Sequence, residues 1–128
     1  MNQPRYSKRI KRLLRHYAGV AYERELAIFL ERLEGDFAAW RQGTFDAVEL
    51  EHRIHRFHQG PARELFKRYI DNPYQELTVA YAIVTGLISR DEVPTELLDT
   101  LRGPLAMHER MMAEGELRMP GEIPPRTG

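Results

Sequence analysis

From Leu77 to Ser89 the chain carries no charged residue. At about 100° per residue, Leu77, Tyr81, Val84 and Ile88 fall on one face of a helix, and Ala80, Ile83 and Leu87 widen that face. The remaining arc holds Thr78, Ala82, Thr85 and Gly86, all small. A helix that is apolar nearly all round must be covered on every side, and small residues let a neighbouring helix come close. Asn72 is expected to cap this helix and Pro73 to begin it, giving a span of 73–89. Such a segment is either the centre of a bundle or half of a dimer seam. The centre is favoured, because a small domain needs one buried element.

The rest of the chain wraps that element with amphipathic helices. No sustained alternation of period two occurs, and no Asn-Gly hairpin signal is present. The expectation is therefore an all-α compact bundle of five to six helical segments, forming one domain over residues 1–113. A first helix is expected over 4–18, with Tyr6, Ile10, Leu13, Leu14 and Tyr17 on one stripe and Gly19 ending it. A second is expected over 21–42, carrying Tyr22, Leu26, Phe29, Leu30, Leu33, Phe37 and Trp40, with Gly35 tolerated inside it and Gly43 at its end. Thr44 is expected to cap a third helix whose buried face is Ala47, Leu50, Ile54 and Phe57. Gly60-Pro61 should break or kink that helix, which resumes over 61–71 with Leu65, Phe66, Tyr69 and Ile70. One or two shorter helices follow over 94–102 and 104–113. Trp40, Phe57, Phe66, Tyr69 and Tyr81 are the expected core anchors. Residues 114–128 carry prolines and glycines and little hydrophobicity, which reads as a mobile or loosely docked tail.

Composition removes several functions. The 128 residues contain no cysteine, which excludes disulfides, thiolate catalysis and cysteine-ligated metals. The content of 42% hydrophobic and 30% charged residues is that of an ordinary globular chain. No apolar run is long enough for a membrane span, and Arg15 and His16 interrupt the stretch that a cleaved signal would need. These features point to a cytoplasmic protein.

Net charge is zero, but six basic residues and no acid precede Glu23, so a +6 arm leads a −6 body. Arg5, Lys8, Arg9, Lys11, Arg12 and Arg15 are therefore candidates for binding nucleic acid or an anionic surface, as a basic amphipathic N-terminal helix spanning 1–18. The plainer expectation is that the arm rests on its own acidic body or faces water.

Three of the five histidines fall in the segment His52-Arg53-Ile54-His55-Arg56-Phe57-His58. On an ideal helix Glu51, His55 and His58 line one flank, a two-histidine, one-carboxylate set that suits zinc or iron. The three span nearly two turns, so one ion is held only with a bent helix, which the Gly60-Pro61 break could supply, or with a ligand from a neighbour. Amphipathic boundary histidines paired with Glu51 are the alternative, and no cofactor is expected.

Arg53 and His58, and likewise Arg102 and His108, show an Arg-x(4–6)-His spacing. This spacing resembles that of the HEPN ribonucleases, small helical bundles of similar length. The resemblance implies an arginine and a histidine acting on an RNA phosphate and the attacking hydroxyl, usually across two protomers. Arg102 and His108 are the better pair, since a bend at Gly103-Pro104 would bring them together. The resemblance covers a few residues and the helical content only. The polar residue that usually follows the arginine is Ile54 or Gly103 here. Walker, Rossmann, His-Glu-x-x-His and Gly-x-Ser-x-Gly patterns are missing from the sequence. The resulting expectation is a non-catalytic interaction or regulatory domain, partnered by protein, either another chain or a second copy of itself.

Overall fold

The computed structural model describes residues 6–122, and every regular element in them is helical. Helix α1 spans Lys8–Arg41, α2 Ala47–Phe57, α3 Arg63–Tyr69, α4 Gln75–Thr85, α5 Thr95–Thr100 and α6 Arg102–Ala113. A π-helical turn over His58–Ala62 joins α2 to α3, and a 3₁₀ turn over Arg90–Glu92 precedes α5. The expected start of the first helix at Pro4 lies outside the described residues.

Helix α1 is one rod of 34 residues, where two helices divided at Gly19 were expected. Gly19 costs about 1 kcal/mol in a helix interior, but apolar residues on both sides of it pack and keep the helix running. Ile10, Leu14, Ala18, Ala21 and Phe29 form the buried stripe, capped at its start by the Ser7 hydroxyl, which accepts from the Ile10 N–H. The apolar residues before Gly19 and those after Tyr22 lie on different sides of the rod. The first half therefore packs on α4, and the second half packs on α2 and α3.

Asp46, not Thr44, caps α2; its carboxylate accepts from the Glu49 N–H at 2.9 Å. Gly60-Pro61 interrupts the α-helix, as expected, but does so as a π turn within a continuous helical run. Pro61 lacks an N–H, and the π turn accommodates it without leaving the helical region. The extra residue in that turn has a packing consequence. In an uninterrupted α-helix Leu65 and Tyr69 would lie about 60° and 100° round from Leu50. One inserted residue turns them back by about 100°, so Leu50, Leu65 and Tyr69 all end up buried. Ala47 and Ile54, expected to be buried, are exposed.

Helix α4 occupies the centre. Thr78, Val79, Ala80, Tyr81, Ala82 and Ile83 are consecutive and all buried within the single chain, between α1 and α6. The helix is shorter than the expected 73–89. Asn72 bridges instead, donating to the Arg68 carbonyl and accepting from the Tyr74 N–H. Gly86 stops the helix in the left-handed conformation, φ +89°. Leu77 is exposed, whereas Ile88, Val93, Leu97, Leu101 and Leu105 close the core from the α5–α6 side. A capping box of Ser89 and Glu92 orders the 3₁₀ turn. Arg24 then holds that turn to α1 with two bonds to the Glu92 carboxylate and one to the Leu87 carbonyl. The Arg24 hydrogen bonds and the Ser89 N–H draw the Glu92 carboxyl down to about 2. Of the expected anchors, Tyr69 and Tyr81 are buried, Trp40 and Phe57 are half-buried and Phe66 is exposed.

An added Cβ at Gly19 or Gly35 would meet open space. Gly19→Ala and Gly35→Ala should each stabilise the fold by about 0.5–1 kcal/mol. Gly86→Ala should destabilise it by about 1–2 kcal/mol, because its φ is positive. Urea unfolding of the three variants checks the opposite signs.

Candidate functional site

The residues named from sequence do not converge. Glu51, His55 and His58 are exposed, and among the described residues no three His, Asp or Glu side chains are placed to hold a metal ion. Arg53 is engaged elsewhere: it bonds Glu49 and Asp36, both at 2.9 Å, and lies 4.2 Å from the Phe45 ring centroid. It lines a cleft on one side of α2, while His58 lines a notch on the other.

Gly103-Pro104 produces no bend, since both sit in the first turn of α6, where proline's missing donor costs nothing. Arg102 is exposed beside Asp99, and His108 is buried six residues further along the same helix. The His108 Nδ1 lies 2.8 Å from the Pro104 carbonyl, which can only accept, so Nδ1 is the donor; the ring meets Tyr81 edge-on. On the basic face of α1, Lys8, Lys11, Arg12 and Arg15 are exposed and Arg9 pairs with Glu96 at 2.6 Å. Arg5 lies outside the described residues.

The polar centre of the molecule is Glu25, which has no exposed surface. Its Oε1 accepts from the Tyr69 hydroxyl at 2.6 Å and from Arg118 Nη2 at 3.2 Å. Its Oε2 accepts from Arg118 Nη1 at 2.6 Å and from the Gly121 N–H at 3.0 Å. Burial pushes this carboxyl up, but the hydrogen bonds from Arg118, Tyr69 and Gly121, together with the Arg118 charge, outweigh that and hold it below the usual range. Burial, and then the bond to Glu25, push the Tyr69 hydroxyl up; burial does the same to Tyr81.

Arg118 also donates to the Met119 and Glu122 carbonyls and lies 4.8 Å from the Tyr81 ring centroid. Gly121 has φ +88°, and a Cβ there would sit 2.9 Å from Arg32 Nη2. Residues 114–122, the described part of the segment expected to be mobile or loosely docked, are therefore fastened to α1. A carboxylate offers about four lone-pair sites, and here all four are occupied. Glu25 has no capacity left to take a proton from a substrate, so it acts as a clasp.

Two hollows flank the contact between α1 and the α2–α3 rod. One is lined by Phe29, Leu33, Phe57 and Pro61 together with the charged Arg32, Asp36, Arg53 and Arg56. The other is walled by Tyr22, His58, Gln59, Ala62, Arg63 and Phe66, and Tyr22 and Phe66 meet edge-on at 6.2 Å. On this second side the chain leaves apolar residues uncovered. Leu30 and Phe37 lie within about 80° of Tyr22 on α1, away from Arg32 and Asp36. Leu30 is 46% exposed, Phe37 38%, Ile54 36%, Phe66 47% and Ile70 38%. Sequence reasoning gave Ile54 to a buried face and Phe66 to the core anchors, and set Leu30, Phe37 and Ile70 on the apolar stripes of their helices. It missed Glu25 and Arg118, although Glu25 continues the spacing of Leu14, Ala18 and Ala21. Among the described residues no helix is long and apolar enough to cross a membrane. In comparison with known proteins, the chain matches no family model, no curated protein and no solved structure.

Breaking the clasp from one side leaves a buried charge. Glu25→Leu should cost about 3–5 kcal/mol, and Glu25→Leu combined with Arg118→Leu should cost less than the two single changes summed. Denaturant titration of the four proteins of this cycle measures the difference.

The pH dependence has two limbs. Glu25 has a folded value below its unfolded one, so its contribution is complete above about pH 4.3 and is lost as pH falls through the folded value. Tyr69 and Tyr81 have raised folded values, so their contribution is complete below about pH 10 and is lost as pH rises beyond it. Stability measured against pH should show both limbs. The acid limb should be shallower in Glu25→Gln and the alkaline limb shallower in Tyr69→Phe.

Proposed function

We propose that this chain is a non-catalytic, cytoplasmic protein-interaction domain. It docks a protein partner on the face formed by Leu30 and Phe37 of α1 with Ile54, Phe66 and Ile70 of the α2–α3 rod. The observation that carries this reading is that five of the exposed large apolar side chains share this face, while Val48, Tyr74, Leu77 and Met119 are exposed elsewhere. The opposite cleft is rimmed by the ion-paired Arg53 and Arg56, whereas this side leaves aromatic and branched side chains in water. Exposed apolar patches rimmed by polar groups mark association surfaces. The buried polar groups argue for the same role, since Glu25 is saturated and His108 is shut into the core. A rigid clasp on one side and an open apolar face on the other is the build of a scaffold.

A photo-crosslinking side chain at Phe66 tests the reading in cells that express the chain. A discrete protein adduct should form from position 66 and be lost in Leu30→Glu. The same side chain at Arg12 should give none. No adduct at position 66, or one that survives Leu30→Glu, overturns the reading.

A further inference from the structure

We propose that the face carrying Leu30 and Phe66 takes a second copy of this chain, packed about a two-fold axis. This rests on the reading of that face as a docking surface and names its occupant. The argument is the charge of its two borders. On the α1 border, Ala27, Leu30, Glu31 and Glu34 form an open acidic hollow. On the α2–α3 border, Arg63 lines the hollow between Tyr22 and Phe66 and Lys67 follows one turn on; with Glu51 on the flank beside His58, the border stays net positive. Among the described residues, Glu31, Glu34 and Arg63 make no ion pair, although Arg24, Arg53, Arg56 and Arg90 all do.

Two borders of one sign would call for a partner of the opposite sign. Borders of opposite sign on one apolar strip are complementary to the strip itself. A two-fold rotation sets each acidic α1 edge against the basic α2–α3 edge of the other copy and buries the apolar residues between them. The zero net charge of the whole chain adds no long-range repulsion between copies. The helix α4 seam is not available for this pairing, because α1 and α6 already cover it.

Sedimentation velocity of the full-length purified chain across about 1–100 μM, the range of ordinary association, tests the proposal. A concentration-dependent dimer is expected. Phe66→Glu should leave a monomer with unchanged helical circular dichroism, and its thermal midpoint should no longer rise with protein concentration. Glu34→Lys and Arg63→Glu should each weaken pairing by about tenfold, the effect of some 1.4 kcal/mol. Both changes in one chain should restore it, since each reversed edge again meets its opposite. A monomer throughout the range overturns the proposal, and so does a dimer indifferent to Phe66→Glu and to the charge reversals. If the chain is monomeric while a heterologous adduct forms at position 66 in cells, self-pairing falls and the docking face stands. If neither pairing nor adduct is found, both fall.

Discussion

The carboxylate of Glu25, which is fully buried, meets the guanidinium of Arg118, which is 14% exposed, and most of the architecture is arranged around that meeting. Glu25 lies in the middle of the buried stripe of α1, Tyr69 ends α3, Tyr81 is on the central helix, and Arg118 comes from beyond α6. Each partner belongs to a different segment, so the pair fixes how four parts of the chain sit together. An apolar substitute of similar volume could stabilise the core as well or better, because desolvating two charges is expensive. What it could not do is specify register. Residues 116–122 have no regular secondary structure, and an apolar segment of this length could slide along α1. A carboxylate with four required donors accepts only one placement of Arg118 and of the Gly121 N–H.

That constraint divides α1 into two functional halves. The apolar side of the first half faces the core, the turn held by Arg24 and the Arg9–Glu96 pair tie it to the segments around α5, and the clasp locks its end. The second half has α2, the π turn and α3 against one side and the Gly121 strap on Ile28 and Arg32 on another, and neither covers Leu30 and Phe37. A helix covered over only part of its surface keeps its remaining apolar residues in water unless something else covers them. Leu30 and Phe37 are exposed for this reason. No defect of packing is involved; the chain has no further element to place over them among the described residues.

The fold class was legible in the sequence because the decisive signal was gross. A run without charge, flanked by proline starts and helical spacing, admits little besides a helix at the centre of helices. The boundaries were less legible, since glycine and proline carry local meanings that packing can override. Gly19 reads as a stop when only its propensity is considered, yet apolar residues on both sides pay its cost. The division at Gly19 also hid Glu25, because the stripe that exposes its placement runs across that residue. Arg118 was hidden by its surroundings: prolines and glycines resemble a free tail, and only tertiary contact distinguishes a strap from one. The histidine segment misled for the opposite reason. Its spacing suggested chemistry, but a ligand set needs convergence, and helical phase directs His55 and His58 outward.

The π turn at Pro61 connects the core to the proposed interface. Without its extra residue, Phe66 and Ile70 would lie about 120° and 160° round the rod from Ile54, facing away from α1. Turned back by about 100°, they align with Ile54 and His58 beside Tyr22, and the same rotation carries Leu65 and Tyr69 into the core. One local irregularity thus sets both faces of α3, placing the Tyr69 hydroxyl on Glu25 and the Phe66 ring on the open side. A helix-breaking dipeptide in the sequence becomes the element that links the buried clasp to the exposed apolar strip. A change that straightened this turn would disturb the buried Tyr69 and the exposed Phe66 together, whereas a change at Phe66 itself leaves Tyr69 on Glu25 and disturbs only the open side.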